Sequence, residues 1–288
     1  SQTYKQTQDM LRSYDRKLDQ RLFSDIDLRY VRGFDMFLQK RGCCGNTRKF
    51  YFKALRAILN RANAEGVGSV ATYPFGRGGF EVSKLEEATA KRYLPAAELS
   101  KLKSTTASNP QCEYARKLFL FSYYCYGISF IDMAMLTAAQ IKQMEDGDYI
   151  VYKRQKIKRQ KGVKPISIKI TPAIRQLIGS LQAASPTVDD FLLPIVTRSG
   201  YTGERLYMHI RARYSKYQKY LRLLAEELGI DFHLTSYVSR HTAAMTLQRN
   251  NIPREVISQM LGHADLETTN IYLDSFDNEV INEAAKVL

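Results

Sequence analysis

The sequence predicts a mainly α-helical protein with a small antiparallel β-sheet, divided into two domains. Apolar residues at three- and four-residue spacing predict helix, as in the run from Ile26 to Leu38 that follows the polar pair Ser24-Asp25. Two alternating segments, DYIVYKRQ and GVKPISIKI, flank the basic turn IKRQK and predict the sheet as a hairpin or as two strands. Residues 67–93 predict the boundary between the two domains, because the segment VGSVATYPFGRGGF is rich in glycine and lacks a helical period.

The elements follow in order along the chain. In the first domain, residues 1–83, a second helix is predicted from Asn46-Thr47 to Gly66. Its apolar face is predicted to be Phe50, Ala54, Ile58 and Ala62. Residues 84–93 form the predicted linker, and the second domain, residues 94–288, starts with the short helix PAAELSKL. Further helices are predicted at EYARKLFLFSYYCYG, SFIDMAMLT, residues 171–183 and residues 205–227, with a C-terminal tail at residues 274–288.

Composition restricts the class of protein. Hydrophobic residues make up 44% and charged residues 25% of the 288 positions, which is typical of a globular chain with real cores. No apolar run is long enough to cross a membrane. The formal net charge is +14, and both predicted domains share the positive excess. Such a charge favours a polyanionic partner bound from two sides, and a merely basic surface is the alternative.

Neither the spacing of the cysteines nor any nucleotide-binding motif in the sequence indicates a cofactor. The four cysteines have no CxxC spacing, so we expect reduced thiols in an intracellular protein and neither a zinc site nor a disulfide framework. The sequence also has no GxxxxGK[ST] motif, so we expect no use of ATP.

The most specific pattern lies in LTSYVSRHTAAMTLQRNNIPREVISQMLGHADLETTNIYL. It contains Arg240, then His263 after a glycine, then Tyr272. Each side chain suits one task in phosphoryl transfer. A guanidinium binds two phosphate oxygens, an imidazole donates a hydrogen bond or moves a proton, and a phenol can act as a nucleophile.

With the motif R-H-T…L-G-H…T…Y at these spacings, the chain resembles the tyrosine recombinases, in the branch of conjugative-transposon and phage integrases. The resemblance covers nearly the whole chain and implies a helical core-binding (SAM-like) domain followed by a catalytic domain. It implies that Arg240 is the second catalytic arginine, that His263 stands at the His/Trp position and that Tyr272 is the nucleophile. It also implies that Lys156, in Arg154-Gln155-Lys156, is the hairpin lysine.

Two positions depart from the family pattern. Ser129 stands where the first catalytic arginine is usual, and Tyr237 stands where a histidine usually precedes the second. A phenol exchanges a proton less readily than an imidazole near neutral pH. We expect another cation to replace the first arginine. The candidates are Arg154, which strand alternation would put on the same face as Lys156, and Arg116 on the preceding helix.

The resemblance implies a site-specific DNA recombinase that uses neither metal nor ATP. The implied partners are double-stranded DNA and further copies of the chain, as a tetramer on paired sites in the bacterial cytoplasm. The tail at residues 274–288 would dock on a neighbouring copy or pack in cis. Two alternatives remain: a DNA-binding relative with impaired catalysis, and a related resolvase or topoisomerase. The basic residues predicted to contact DNA are Arg48, Lys49, Lys53, Arg56, Lys158 and Arg159.

Overall fold

The computed structural model describes residues 2–87 and 93–263. The chain divides into two compact units, residues 1–90 and 91–288. The described part is mainly helical and contains a small antiparallel sheet, so the predicted fold class is confirmed.

The first unit is a helical domain built on an aromatic core. It contains α1 (Gln2–Tyr14), α2 (Leu28–Lys40) and α3 (Gly45–Ala64), followed by a short 3-10 turn at Val82–Leu85. Phe34 of α2 and Phe52 of α3 are fully buried, and their ring centroids lie 5.5 Å apart. Edge-to-face aromatic pairs of this kind stabilise a core beyond the area that they bury.

Two details of the predicted helices in this unit are wrong. Helix α2 begins three residues later than Ser24-Asp25 suggested, because Asp27 caps it by accepting a hydrogen bond from the Tyr30 amide at 2.8 Å. In α3 the predicted Ala54 and Ala62 are buried, but Phe50 is 38% exposed and Ile58 is only partly buried, and the rest of the buried face is formed by Phe52, Leu55 and Leu59. The segment FYFKALRAIL offers two apolar stripes at helical spacing, and packing against α2 selects between them.

The second unit carries most of the helices and the sheet. Its helices before the sheet are α4 (Ala96–Ser104), α5 (Pro110–Tyr124) and α6 (Phe130–Ala134). Those after the sheet are α7 (Pro172–Ala184), α8 (Gly203–Glu227), α9 (Ser236–Arg249) and α10 (Arg254–Leu261). Helix α5 lies at the centre, since it packs against α7, α8 and α9 and buries Phe119 and Phe121 completely. The predicted helices of this domain are therefore confirmed, with α5 starting three residues earlier than expected at an Asn109 cap.

The sheet has a strand that the sequence did not predict. Strands β1 (Ile141–Met144), β2 (Gly147–Tyr152) and β3 (Ile166–Lys169) pair antiparallel in that order. Strand β1 lacks an alternating pattern because its sequence IKQM is mostly exposed. Strand β2 ends at Tyr152, so Arg154 and Lys156 lie in the turns after it. The prediction that strand alternation puts these two side chains on one face is therefore wrong.

Candidate active site in the second unit

Arg240 is anchored between two turns of the chain. Its side chain, on α9, is 3% exposed. Its Nη1 donates to the Gly127 carbonyl at 3.0 Å and its Nη2 donates to the Leu261 carbonyl at 2.5 Å. Gly127 has φ +70°, and a Cβ there would lie 2.4 Å from the Arg240 Cα, so only glycine fits. The turn after α5 thus sets the position of the arginine.

Arg154 is anchored beside Arg240, at the end of α10. Its Nη1 donates to the Gly262 carbonyl at 3.1 Å, one residue beyond the carbonyl that holds Arg240. Gly262 adopts φ +63° and caps α10, and a Cβ there would meet Ile166 of β3 at 2.3 Å. The sequence places these two arginines far apart, and the end of α10 brings their guanidinium groups to adjacent carbonyls.

Asp132 links α6 to the chain segment that carries Arg154 and Lys156. It is 3% exposed, and its Oδ1 accepts a hydrogen bond from the Gln155 amide at 2.7 Å. Its Oδ2 accepts a hydrogen bond from the Ser129 hydroxyl at 2.6 Å. Ser129 is also the N-cap of α6. The Ser129 hydroxyl thus donates to the Asp132 carboxylate and, as the cap, accepts from the Asp132 amide at 3.3 Å.

A cavity of about 370 Å³ brings several predicted site residues together. Ser129, Arg154, Tyr237 and Arg240 all line it. Its other lining residues are Gly127, Ile128, Phe130, Ile131, Tyr207, Ile210, Arg211, Tyr214 and Ser236. The walls are largely apolar and aromatic, and guanidinium groups reach them from the turn after β2, from α8 and from α9. Such a cavity suits a phosphodiester, because apolar walls strengthen the charge-assisted hydrogen bonds of the arginines.

Sequence reasoning missed the contribution of α8. Tyr207, Arg211 and Tyr214 line the cavity from this helix, next to the buried Ile210. The signal that could have found them is their spacing of four and three residues, which puts them on one helical face. Tyr214 also contacts α9, because its hydroxyl lies 3.0 Å from the Ser236 hydroxyl.

Arg116, the other candidate to replace the first arginine as a phosphate clamp (the cations that would hold the phosphate), is not among the residues that line this cavity. Arg116 is 9% exposed and donates to both carboxylate oxygens of Glu113, at 2.7 and 2.8 Å, and to the Leu102 carbonyl at 2.8 Å. Burial opposes the ionisation of Glu113, but the hydrogen bonds from Arg116 and from the Ala107 amide lower its pKa overall. Arg116 therefore joins α5 to the end of α4.

His263 and Lys156 lie near the cavity without lining it. The His263 amide donates to the Ser258 carbonyl at 3.0 Å, directly after the Gly262 cap. The imidazole is half-buried and lines a wider cleft of about 780 Å³ together with residues 157 and 160–166. Lys156 is exposed in the turn after β2, and Lys158 and Arg159 follow it in the same exposed segment. Tyr272 and the tail at residues 274–288 lie outside the described residues.

In the first unit, the basic residues of α3 do not form a single DNA-facing set. Arg48 is paired with Asp35, at 2.9 Å from both carboxylate oxygens, and Lys49 is paired with Glu86 at 2.5 Å. Of the four predicted residues of α3, Lys53 and Arg56 are exposed, whereas Arg48 and Lys49 are partly buried. The prediction for Arg48 and Lys49 is therefore weakened, because internal carboxylates already hold their charges.

Metal-ligand clusters and membrane-spanning helices are both absent from the described residues. Within residues 2–87 and 93–263, no group of three or more His, Cys, Asp or Glu side chains is arranged to hold a metal ion. None of the helices in the same part of the chain is long and apolar enough to span a bilayer.

Comparison with known proteins gives the family. The model of the phage integrase family matches residues 92–279, and that of the phage integrase SAM-like domain matches residues 1–81. The fold is thus that of the tyrosine recombinase class. The chain belongs to the phage integrase family.

Curated relatives include a protein named as a tyrosine recombinase and one named as a transposase. Tyrosine recombinase XerC of Rhodospirillum centenum is 31% identical over 114 residues, which cover 40% of this chain and 31% of that protein. Transposase B from transposon Tn554 of Staphylococcus aureus is 24% identical over 196 residues, which cover 68% of this chain and 30% of that protein. The chain therefore spans about a third of the length of these relatives.

Solved structures share the fold. The XerH site-specific recombinase bound to a palindromic difH substrate matches with a TM-score of 0.69 and 19% identity, over 99% of this chain and 79% of that one. The Tn1549 transposon integrase in complex with transposon right end DNA matches with a TM-score of 0.63 and 12% identity, over 91% and 85%. At these identities the likeness concerns the fold alone.

Proposed function

We propose that this protein breaks and rejoins DNA strands at specific sites through a covalent tyrosine intermediate. Tyr272 attacks a scissile phosphodiester, a 3′-phosphotyrosyl bond forms, and the 5′-oxygen of the broken bond leaves with a proton. A 5′-hydroxyl of a second strand then attacks the phosphotyrosine and releases Tyr272. The observation that carries this proposal is the cavity at which Arg154 and Arg240 meet, in a chain whose family is established.

Arg240 and Arg154 bind the non-bridging oxygens of the phosphate in this proposal. Their orientation by adjacent carbonyls supports it, since donors that are positioned in advance stabilise a charged transition state without reorganisation. Arg154 takes over the function of the missing first arginine, because Ser129 at that position offers only a hydroxyl that bonds Asp132. Tyr237 lines the same cavity and contributes a neutral donor from the first turn of α9.

Lys156 and His263 complete the proposed chemistry. Lys156 protonates the leaving 5′-oxygen as a general acid. The Asp132 hydrogen bond to the Gln155 amide supports this role, since it fixes the backbone between Arg154 and Lys156. His263 donates a hydrogen bond to a phosphate oxygen or assists proton transfer, and its place directly after the Gly262 carbonyl that holds Arg154 favours this.

Double-stranded DNA is the proposed substrate, bound by several copies of the chain. The net charge of +14 supports a polyanionic partner. The XerH recombinase is bound to a difH substrate and the Tn1549 integrase is in complex with transposon DNA, and the shared fold supports DNA as the substrate of this chain. In the first unit we assign the phosphate contacts to Lys53 and Arg56, and in the second to Lys158 and Arg159. We further propose a tetramer on paired sites, with the tail at residues 274–288 docking in trans.

A covalent-trapping experiment tests this function. The Tyr272→Phe variant first selects binding sites from a duplex library with randomised cores. Nicked suicide duplexes of the selected sites are then incubated with the parent chain and resolved on a denaturing gel. A covalent adduct that Tyr272→Phe does not form supports the proposal. Selected sites that bind tightly but give no adduct would instead support the catalytically impaired DNA-binding relative, which the Ser129 position favours.

Recombinant products distinguish the remaining alternative. When two differently labelled sites are supplied together, a recombinase yields exchanged duplexes, whereas a topoisomerase only cuts and reseals one duplex. Adduct formation without exchanged products from paired sites would exclude site-specific recombination by the protein alone.

A further inference from the structure

Two buried serines from distant parts of the chain meet behind the candidate active site. Ser122 lies on α5 and is 1% exposed, and Ser239 lies on α9, directly before Arg240, and is fully buried. Their hydroxyl oxygens are 2.7 Å apart, although 117 positions separate them. Buried hydroxyl groups need hydrogen-bond partners, so the pair joins α5 to α9 specifically.

The hydroxyl protons impose a direction on this pair. Ser122 Oγ lies 2.8 Å from the Ile128 carbonyl, and Ser239 Oγ lies 2.7 Å from the Ser236 carbonyl. These two contacts and the contact between the hydroxyls need three protons, but two hydroxyls supply only two. Because Ser122 donates to the Ile128 carbonyl, Ser239 is the donor in the contact between the two hydroxyls, and its proton is shared between Ser122 and the Ser236 carbonyl.

The Ile128 carbonyl lies in the turn that organises the site. The preceding Gly127 carbonyl accepts the guanidinium of Arg240. The following residue, Ser129, bonds Asp132, which holds the Gln155 amide beside Arg154. A shift of this turn would therefore move the support of both arginines at once.

We infer that Ser122 and Ser239 are positioning residues for the phosphate clamp. They hold the Gly127–Ser129 turn from inside the protein and thereby fix Arg240, without contacting the substrate. The expected effect of these serines on DNA cleavage rests on the proposed function. Their effect on the rigidity of the Gly127–Ser129 turn does not, because it can be measured on the protein alone. Neither serine lines the cavity.

Alanine variants test the inference, with Thr242→Val as the matched control. Thr242 is 1% exposed on the same helix, where its hydroxyl accepts from the Leu94 amide and donates to the Val238 carbonyl, away from the turn. Thr242→Val removes a comparable buried hydroxyl. Ser122→Ala and Ser239→Ala should each slow single-turnover adduct formation by about three- to tenfold, the effect of one buried hydrogen bond. The Kd for the suicide duplex should change by less than about twofold.

Coupling and rescue separate positioning from a general loss of stability. The double alanine variant should cleave no more slowly than the slower single variant, since both hydroxyls act in one chain. Ser239→Cys, which keeps the size and a weak donor, should recover part of the rate. Thr242→Val should lower the thermal midpoint by a similar amount and leave the rate relative to the parent unchanged. An equal slowing in Thr242→Val would overturn the inference.

Hydrogen–deuterium exchange decides the positioning claim even if the parent chain forms no adduct. In Ser122→Ala and Ser239→Ala, the backbone amides of residues 127–130 should exchange faster than in the parent, and in Thr242→Val they should not. Unchanged exchange in both serine variants would overturn the inference. A parent without an adduct but with this exchange pattern would refute the proposed function and leave the positioning role standing.

Discussion

Main-chain carbonyl groups orient the guanidinium groups of Arg154 and Arg240. At the end of α10, Arg154 donates a hydrogen bond to the Gly262 carbonyl at 3.1 Å, and Arg240 donates one to the Leu261 carbonyl at 2.5 Å. Both side chains line the same cavity. Since a guanidinium is planar, fixing one edge also sets the direction of the donors on the other edges. A phosphate that enters this cavity would meet donors already aligned for it.

Arg154→Ala should slow single-turnover cleavage by roughly ten- to a hundredfold, because the variant loses a charge-assisted hydrogen bond to the phosphate. Arg154→Lys should recover only part of the rate, since an ammonium keeps the charge but lacks the planar pair of donors that binds two phosphate oxygens. The control is Arg175→Ala, which removes an arginine of the same unit that pairs with Asp148 on the surface. Cleavage by Arg154→Ala at the parental rate would remove Arg154 from the clamp.

Lys156 can be tested through the leaving group. With a normal phosphodiester, Lys156→Ala should cleave at least about a hundredfold more slowly, the usual contribution of a general acid. With sulfur in place of the bridging 5′-oxygen, the leaving thiolate needs no proton, so the variant and the parent should cleave at similar rates. A defect of equal size on both substrates would show that Lys156 acts in some other way.

At the scale of elements, α5 and α10 set the geometry of the site. Helix α5 ends in the Gly127 turn, and α10 ends in the carbonyls of Leu261 and Gly262. Arg116 belongs to the support of α5, since it ties Glu113 to the last turn of α4. The site thus depends on helix ends, where backbone groups lack intrahelical partners.

Arg116→Met should destabilise the folded state by about 3 kcal/mol, because it leaves Glu113 in a mostly buried place with only Lys117, at 3.9 Å, as an ionic partner. The pKa of Glu113 is lowered in the folded protein, so the ion pair stabilises above the ordinary carboxyl value of 4.5 and this stability is lost as the pH falls through the folded-state pKa. Urea unfolding should therefore show a difference between parent and variant that shrinks in acid. A difference in the free energy of unfolding that does not change with pH would contradict this account. If Arg116→Met stayed folded but lost DNA cleavage, Arg116 would again be a candidate for binding the phosphate.

The sequence predicted most helices because their periodic patterns are local, and it predicted β2 and β3 from alternation. It missed β1, whose residues are mostly exposed on both faces. In α3 it predicted the buried Ala54 and Ala62 but chose Phe50 instead of Phe52, because only packing against Phe34 selects Phe52. The sequence left both Arg116 and Arg154 open as candidates, since their partners, Glu113 and Gly262, are seen only once the chain is folded.

At the scale of the whole molecule, the positive charge should govern affinity for DNA. The logarithm of the binding constant should fall linearly with the logarithm of salt concentration. Lys53→Ala and Arg56→Ala should each reduce that slope by about one, as expected for a lost phosphate contact. Lys49→Ala is the matched control on the same helix, because Glu86 already pairs with Lys49, and it should leave the slope nearly unchanged. Equal slopes for all three variants and the parent would exclude this face of α3 from the DNA interface.

The polarity of the covalent bond tests the central claim most directly. Suicide duplexes of a selected site, labelled at either end of the cleaved strand, are trapped with the parent chain, and the adduct is digested and mapped by mass spectrometry. The account predicts that Tyr272 carries the DNA through a 3′-phosphate and that the other product ends in a free 5′-hydroxyl. DNA attached through a 5′-phosphate, or attached to any residue other than Tyr272, would contradict it.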